Sequence, residues 1–324
     1  MISQHAPNAF TKRQISRLSE QVLRDAAVAG ERPTPMGAVL EAAGISEIID
    51  ISDRGLPQAV VAKKPSRIGR VLGAVFFSER TVFIDRDEPD VRVQFTDAHE
   101  AIHALCPWHE PTLRFDDLDT LAGRTAEMVE SEANYGAGHL IFQGGRFHRR
   151  ALKEQVSIST PLELASEYRA SRHATLHFYV EEHPDAVALL IAGRYRRFDN
   201  TLPIWRSVES REFTRRFGRL EQHLPGEVLS VADESQAAPL AEIINRSRLE
   251  VHPPSTDVTL LDAGGSPQEF VAEAFFNQTC HFVLVVERKA RRLGRRIRLA
   301  SCVKRGLKRG RGPGIPQPYD SDAT

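Results

Sequence analysis

The sequence predicts an α+β fold, and three observations carry that prediction. Helical periodicity runs from Ile15 to Gly44 and again from Val91 to Glu182. Short apolar alternations between Gly, Pro and charged residues fill 45–84 and recur beyond Arg194. With 324 residues, 41% hydrophobic and 27% charged, the chain is long enough to bury a sizeable core in about two domains.

In chain order, Ile15, Leu18, Val22 and Leu23 recur at helical spacing. After the breaker run Gly30 to Pro35, a second short helix follows through Met36, Val39, Leu40 and Ala43. The next texture is that of a small β-sheet, with strands expected at Gln58 to Val61, Val71 to Phe77 and Thr81 to Ile84. A polar turn, Asp85 to Asp90, contains Pro89 and leads into a helix over Val91 to Leu105. A long helix is expected from Leu118 to Phe142, stopped by Gly144-Gly145. A helix pair, Pro161 to Ala170 and Arg172 to Glu182, joins near Ser171. Beyond Arg194, an Arg-rich helix near Glu209 to His223 precedes strands at Glu227 to Val231, Asp257 to Leu261, Phe270 to Phe276 and Phe282 to Val286. These readings divide the chain into a helical extension (1–24), a unit with the central helices and the helix pair (25–195), a small α+β domain (196–300) and a basic, disordered tail (301–324). The α+β domain is expected to recruit a substrate or sense a signal.

Lys plus Arg equal Asp plus Glu at 43 each, so no global charge directs the chain to nucleic acid or membrane. The run from Arg288 to Arg311 holds 12 Lys and Arg, enough for non-specific contact with nucleic-acid phosphates. No secretory signal or membrane span is legible, and a cytoplasmic location with no membrane partner is the expectation. Cys106, Cys280 and Cys302 are far apart and odd in number, which suits a reducing compartment and excludes a disulfide framework.

The chemistry concentrates in Asp97-Ala-His-Glu-Ala-Ile-His103. His99 and His103 stand one helical turn apart, so both imidazoles leave one face and can share one metal ion. Glu100 follows the first of them, where its carboxylate can take a proton from water that the metal polarises. Two histidines and a glutamate on an otherwise apolar segment (Phe95, Ala98, Ala101, Ile102) call for a partner that offsets their burial. A catalytic metal site takes a third protein ligand, and the next helix offers Glu127, Glu130 and Glu132. Glu130 and Asn134 share a face, so that Glu130 can ligate while Asn134 accepts the outward N–H of a ligand histidine. Glu132 is rotated by about 200° from Glu130 and faces away.

Gln94-Phe-Thr-Asp-Ala-His-Glu-Ala-Ile-His-Ala-Leu105, followed by Glu130-Ser-Glu-Ala-Asn134, resembles the ImmA/IrrE family of metallopeptidases. Its members show Phe-Thr-x-Ala-His-Glu-x-x-His and then Glu-x-x-Ala-Asn or Ala-Asp. The likeness extends over about residues 25 to 195. It implies a zincin-like core of small sheet and active-site helices, with one zinc ion per chain on His99, His103 and Glu130 and with Glu100 as general base. It also implies an endopeptidase whose protein substrate is a helix-turn-helix transcriptional repressor. A metal-binding regulator that acts by binding protein or nucleic acid, without turnover, is the alternative. Two departures stand out: Ile102 replaces the family's Gly, and Tyr135-Gly-Ala-Gly replaces its Phe-Ala-x-x.

Further residues enter with less weight. His139 is considered as an electrophilic helper, against a structural role. Tyr168 and His173, on the helix pair, are considered as site residues against ordinary interface positions, and Glu132 as an alternative ligand. His109, in Cys106-Pro-Trp-His-Glu110, is read as a loop residue.

Overall fold

The computed structural model describes residues 7–54, 72–110, 122–194, 201–224, 226–230, 238–250, 252–262 and 264–290. The expected strand at 58–61, the start of the long helix at 118–121 and the basic tail lie outside them. No helix among the described residues is long and apolar enough to cross a membrane.

Helix α1 (Ala9–Asp25) begins where the Asn8 side chain accepts from the backbone N–H groups of Phe10 and Thr11. Its stripe of Ile15, Val22 and Leu23 is buried. The helix is therefore no loose extension: it packs on the long central helix, and α2 (Met36–Ala42) adds Met36, Val39 and Leu40 to the same core. A three-stranded sheet follows in the order β1-β3-β2. Its strands are β1 (Glu47–Asp50), β2 (Gly73–Phe76) and β3 (Thr81–Ile84), with β1 parallel and β2 antiparallel to the buried β3.

Helices α3 (Asp90–Leu105) and α4 (Ala122–Phe142) form the centre of this unit. Small residues let them approach: Ala98 and Ala101 on α3 and Ala133 and Ala137 on α4 are fully buried. A Cβ placed on Gly136 would lie 2.6 Å from Ile102 and 2.8 Å from Ile15. The bulk of Ile102 on α3 is thus accommodated by the missing side chain of Gly136 on α4.

Helix α5 (Gly145–Ala151) turns off the end of α4 and leads to α6 (Ser159–Glu167) and α7 (Arg172–Glu181). The side chain of Ser171 caps α7 by accepting from the Ala174 N–H.

An antiparallel six-stranded sheet of order β6-β5-β4-β9-β8-β7 completes the fold. It comprises β4 (Val187–Ala192), β5 (Thr201–Glu209), β6 (Val228–Ser230), β7 (Ser255–Leu261), β8 (Pro267–Phe276) and β9 (His281–Glu287). Helices α8 (Arg211–Phe217) and α9 (Ala238–Arg246) cover one face, and the unit of α1 to α7 covers the other. The central strands β4 and β9 are consequently buried on both sides. Sequence periodicity resolved neither β4, nor β5, nor α5, nor α9. The helix expected over Glu209 to His223 is the end of β5, then α8, then a 3₁₀ turn at Leu220–His223. Because β4 pairs with β5 and β9, the sheet reaches back across residue 195, where the sequence reading had set a boundary.

The Ile102–Gly136 contact is directly testable by chemical denaturation. Gly136→Ala is expected to destabilise the protein by about 1–3 kcal/mol, and Ile102→Ala in the same chain is expected to return part of that loss. Strictly additive effects of the two substitutions would show that they do not share one space.

Candidate metal centre

The site is built by α3 and α4. Asp90 in the first turn of α3 suits the positive end of the helix dipole. The helix stops because Pro107 favours an extended conformation at Cys106, which has φ −94 and ψ 101. A turn closed by His109 N–H on the Cys106 carbonyl (2.9 Å) then brings the chain back beneath its own last turn.

His99, His103 and Glu130 converge, their ligating atoms all within 4.8 Å of one another. His99 Nε2 lies 3.0 Å from His103 Nε2 and 3.2 Å from Glu130 Oε2, and His103 Nε2 lies 3.6 Å from Glu130 Oε1. The Glu130 side chain is 52% exposed, so the trio opens to solvent on that side. As expected from the spacing, Asn134 Oδ1 accepts from His99 Nδ1 at 3.2 Å. That bond places the proton of a neutral His99 on Nδ1 and leaves Nε2 with a bare lone pair aimed at His103 and a carboxylate. Two imidazole nitrogens and a carboxylate oxygen converging on one point are a donor set that fits a divalent cation such as zinc.

Charge on these groups is strongly coupled. Burial works against a protonated His99, but Glu130 and Glu100 outweigh it and push the ring above the usual histidine range. For His103 burial dominates, the rings of His99 and His109 add to it, and the group sits well below that range. Partial burial pushes Glu130 up, yet the contact with His99 prevails and lowers it. Glu100, 5% exposed, is raised by burial to about 7, with Glu130 and Asp97 reinforcing the shift against His99. Its carboxylate runs beside β2: a Cβ on Gly73 would stand 2.7 Å from Glu100 Oε1 and 2.5 Å from Thr96 Cγ2. Glycine at 73 is what leaves room for the acid.

The remaining expectations fall elsewhere. Glu132 does face away from the trio, but it is not surface: it is 3% exposed and accepts from Trp108 Nε1 (2.7 Å) and His109 Nε2 (3.1 Å). His109, read from the sequence as a loop residue and not a fourth ligand, lies in the interior just past the end of α3. It is 0% exposed, with its Nδ1 3.0 Å from His103 Nδ1. The sequence held a signal for it in Pro107, which ends the helix two residues earlier. The ring of His139 packs between Tyr135 and Phe178, and its Nε2 has no hydrogen-bond partner among the described residues. Tyr168 is buried against Phe142 and Phe147, and its carbonyl accepts from Gln94 Nε2. His173 stacks edge-on against Phe282 of the large sheet.

Residues 58–179 match the sequence profile of the family described as the IrrE N-terminal-like domain, of the M78 peptidases. That stretch holds both histidines, Glu100, Glu130 and Asn134. No curated protein matches the chain. Among solved structures, it is similar to a Mycobacterium tuberculosis transcriptional regulator at 14% identity and a TM-score of 0.49, covering 86% of this chain and 77% of that one.

The packing of His139 has a measurable consequence. Burial lowers its pKa to about 4, so between about pH 6.5 and that value the unfolded chain binds a proton that the folded chain refuses. Its contribution to stability is complete above about pH 6.5 and falls away as the pH drops towards 4. His139→Phe, which keeps the aromatic contacts, is expected to lose less stability than the native chain over this window, by a margin of order 1–3 kcal/mol. Parallel stability curves for the two proteins would contradict this.

Proposed function

We propose that this chain, which carries an IrrE N-terminal-like domain over residues 58–179, is a zinc-dependent endopeptidase. The observation that carries the reading is the convergence of His99 Nε2, His103 Nε2 and a Glu130 carboxylate, with Glu100 on the same helix as the two histidines. A zinc ion held by this trio supplies a Lewis acid that polarises the scissile carbonyl and makes water a better nucleophile at neutral pH.

The chain's own residues do the rest. Glu100, adjacent to His99, takes the proton from the attacking water and passes it to the leaving nitrogen. Its burial raises its affinity for that proton, which suits a group that must both accept and donate it near neutral pH. Asn134 holds His99 in the orientation that presents Nε2. Among the described residues β2 is the outer strand of the small sheet and passes Glu100 at Gly73, so an extended stretch of substrate would lie along that edge. The substrate class we infer is a protein, and helix-turn-helix repressors are the members to try first, on the strength of the family resemblance.

Two experiments test the reading. Glu100→Gln is expected to keep about one zinc per chain while cleavage of a repressor substrate, followed by mass spectrometry, falls by about 10²-fold or more. Cleavage at the native rate by a zinc-loaded Glu100→Gln protein would remove Glu100 from the mechanism. Separately, stripping the metal with a chelator is expected to abolish cleavage and added zinc to restore it; full activity in a metal-free sample would defeat the proposal.

A further inference from the structure

We propose that His109 and Glu132 form a buried relay that holds His103 in the one tautomer able to bind a metal ion. This rests on reading the trio as a metal site, and it assigns a role to two residues that lie outside the ligand set.

The geometry is a chain of three side chains. Glu132, as a carboxylate, only accepts hydrogen bonds. Its Oε2 receives the indole N–H of Trp108 at 2.7 Å and His109 Nε2 at 3.1 Å, so His109 carries its proton on Nε2. A neutral His109 then offers a bare Nδ1, 3.0 Å from His103 Nδ1, and the only complementary arrangement has His103 donating from Nδ1. Nε2 of His103 is left as a lone pair, and it is this atom that points to His99 and Glu130. A proton on the wrong nitrogen would block the site, and with His109 neutral every link of the chain works against that.

Burial gives the relay its force. His103 and Glu132 are each 3% exposed and His109 is fully covered, so water cannot replace a missing partner. Among the described residues the hydrogen-bond partners of Glu132 are Trp108 and His109, and no guanidinium or ammonium neutralises it. A carboxylate buried with only an indole and an imidazole as partners is costly as a purely structural element. It becomes favourable when its charge is conveyed through two imidazoles to a cation, in the way that carboxylates behind ligand histidines raise ligand basicity. The two ligands are therefore supported differently. His99 leans on Asn134, an exposed amide; His103 leans on a buried, charged relay.

The test uses the full-length chain, zinc competition against a chromophoric chelator, and ¹⁵N NMR of the histidine rings in the zinc-free protein. His109→Phe and Glu132→Leu are expected to weaken zinc binding about 10–100-fold. Glu132→Gln, which keeps an oxygen acceptor for both donors, is expected to weaken it less. In the zinc-free native protein His103 is expected to show its proton on Nδ1, and in the first two variants a mixture of tautomers. Folded variants, checked by circular dichroism, that bind zinc as tightly as the native chain would overturn the relay alone. Should the variants fail to fold, the native spectrum still decides, since a His103 proton on Nε2 overturns the proposal. A native chain that takes up no zinc would instead overturn the metal-site reading and this proposal with it.

Discussion

The close contact between α3 and α4 is the constraint on which the rest of the molecule depends. The two helices meet through alanines and through Ile102 seated over Gly136, with Ile15 of α1 filling the same gap. Only at that separation can side chains from two helices share a point in space. The outcome is that Glu130 and Asn134 of α4 reach the two histidines of α3. Larger residues at these positions would part the helices by more than a hydrogen bond or a metal–ligand bond can span.

Electrostatics then couples the groups of the assembled cluster. Two imidazole nitrogens 3.0 Å apart and a carboxylate form an electron-rich cluster. Burial and the neighbouring charges shift their proton affinities in opposite directions, His99 upwards and His103 downwards. Behind His103, the buried His109 and Glu132 continue the line of contacting polar groups. Each group separately is a poor contribution to a folded core; together they form a donor set that could hold a cation.

The large sheet stabilises this arrangement from outside. One face of β4 and β9 supplies Val187, Leu189, Ile191, Phe282, Leu284 and Val286 to the core that also contains Ala98, Ile102 and Ala137, so site and sheet share one apolar interior. A buried hydrogen bond from the Ile158 N–H to Glu273 of β8 (2.7 Å) joins the helix pair to the sheet. The other face closes over α8 and α9 as a second core. The bidentate pairing of Arg216 on α8 with Glu287 on β9 (2.7 Å for each bond) fixes α8 to the sheet's central region.

What the sequence determined by itself was chemistry carried by local spacing. His99, Glu100 and His103 within one helical turn, and Glu130 four residues before Asn134, are legible because a helix places such residues on a common face whatever surrounds it. The same rule turns Glu132 away from the trio. Tertiary structure decided what lies on the far side of that face. His109 and Glu132 are 23 residues apart in sequence and meet only because Pro107 folds the chain back under α3 and α4 packs against it. β4 was hidden for a related reason: Val-Ala-Leu-Leu-Ile-Ala carries no alternation, since burial on both faces removes the polar positions by which a strand is recognised. Periodicity reports which residues share a surface, and only packing determines what that surface meets.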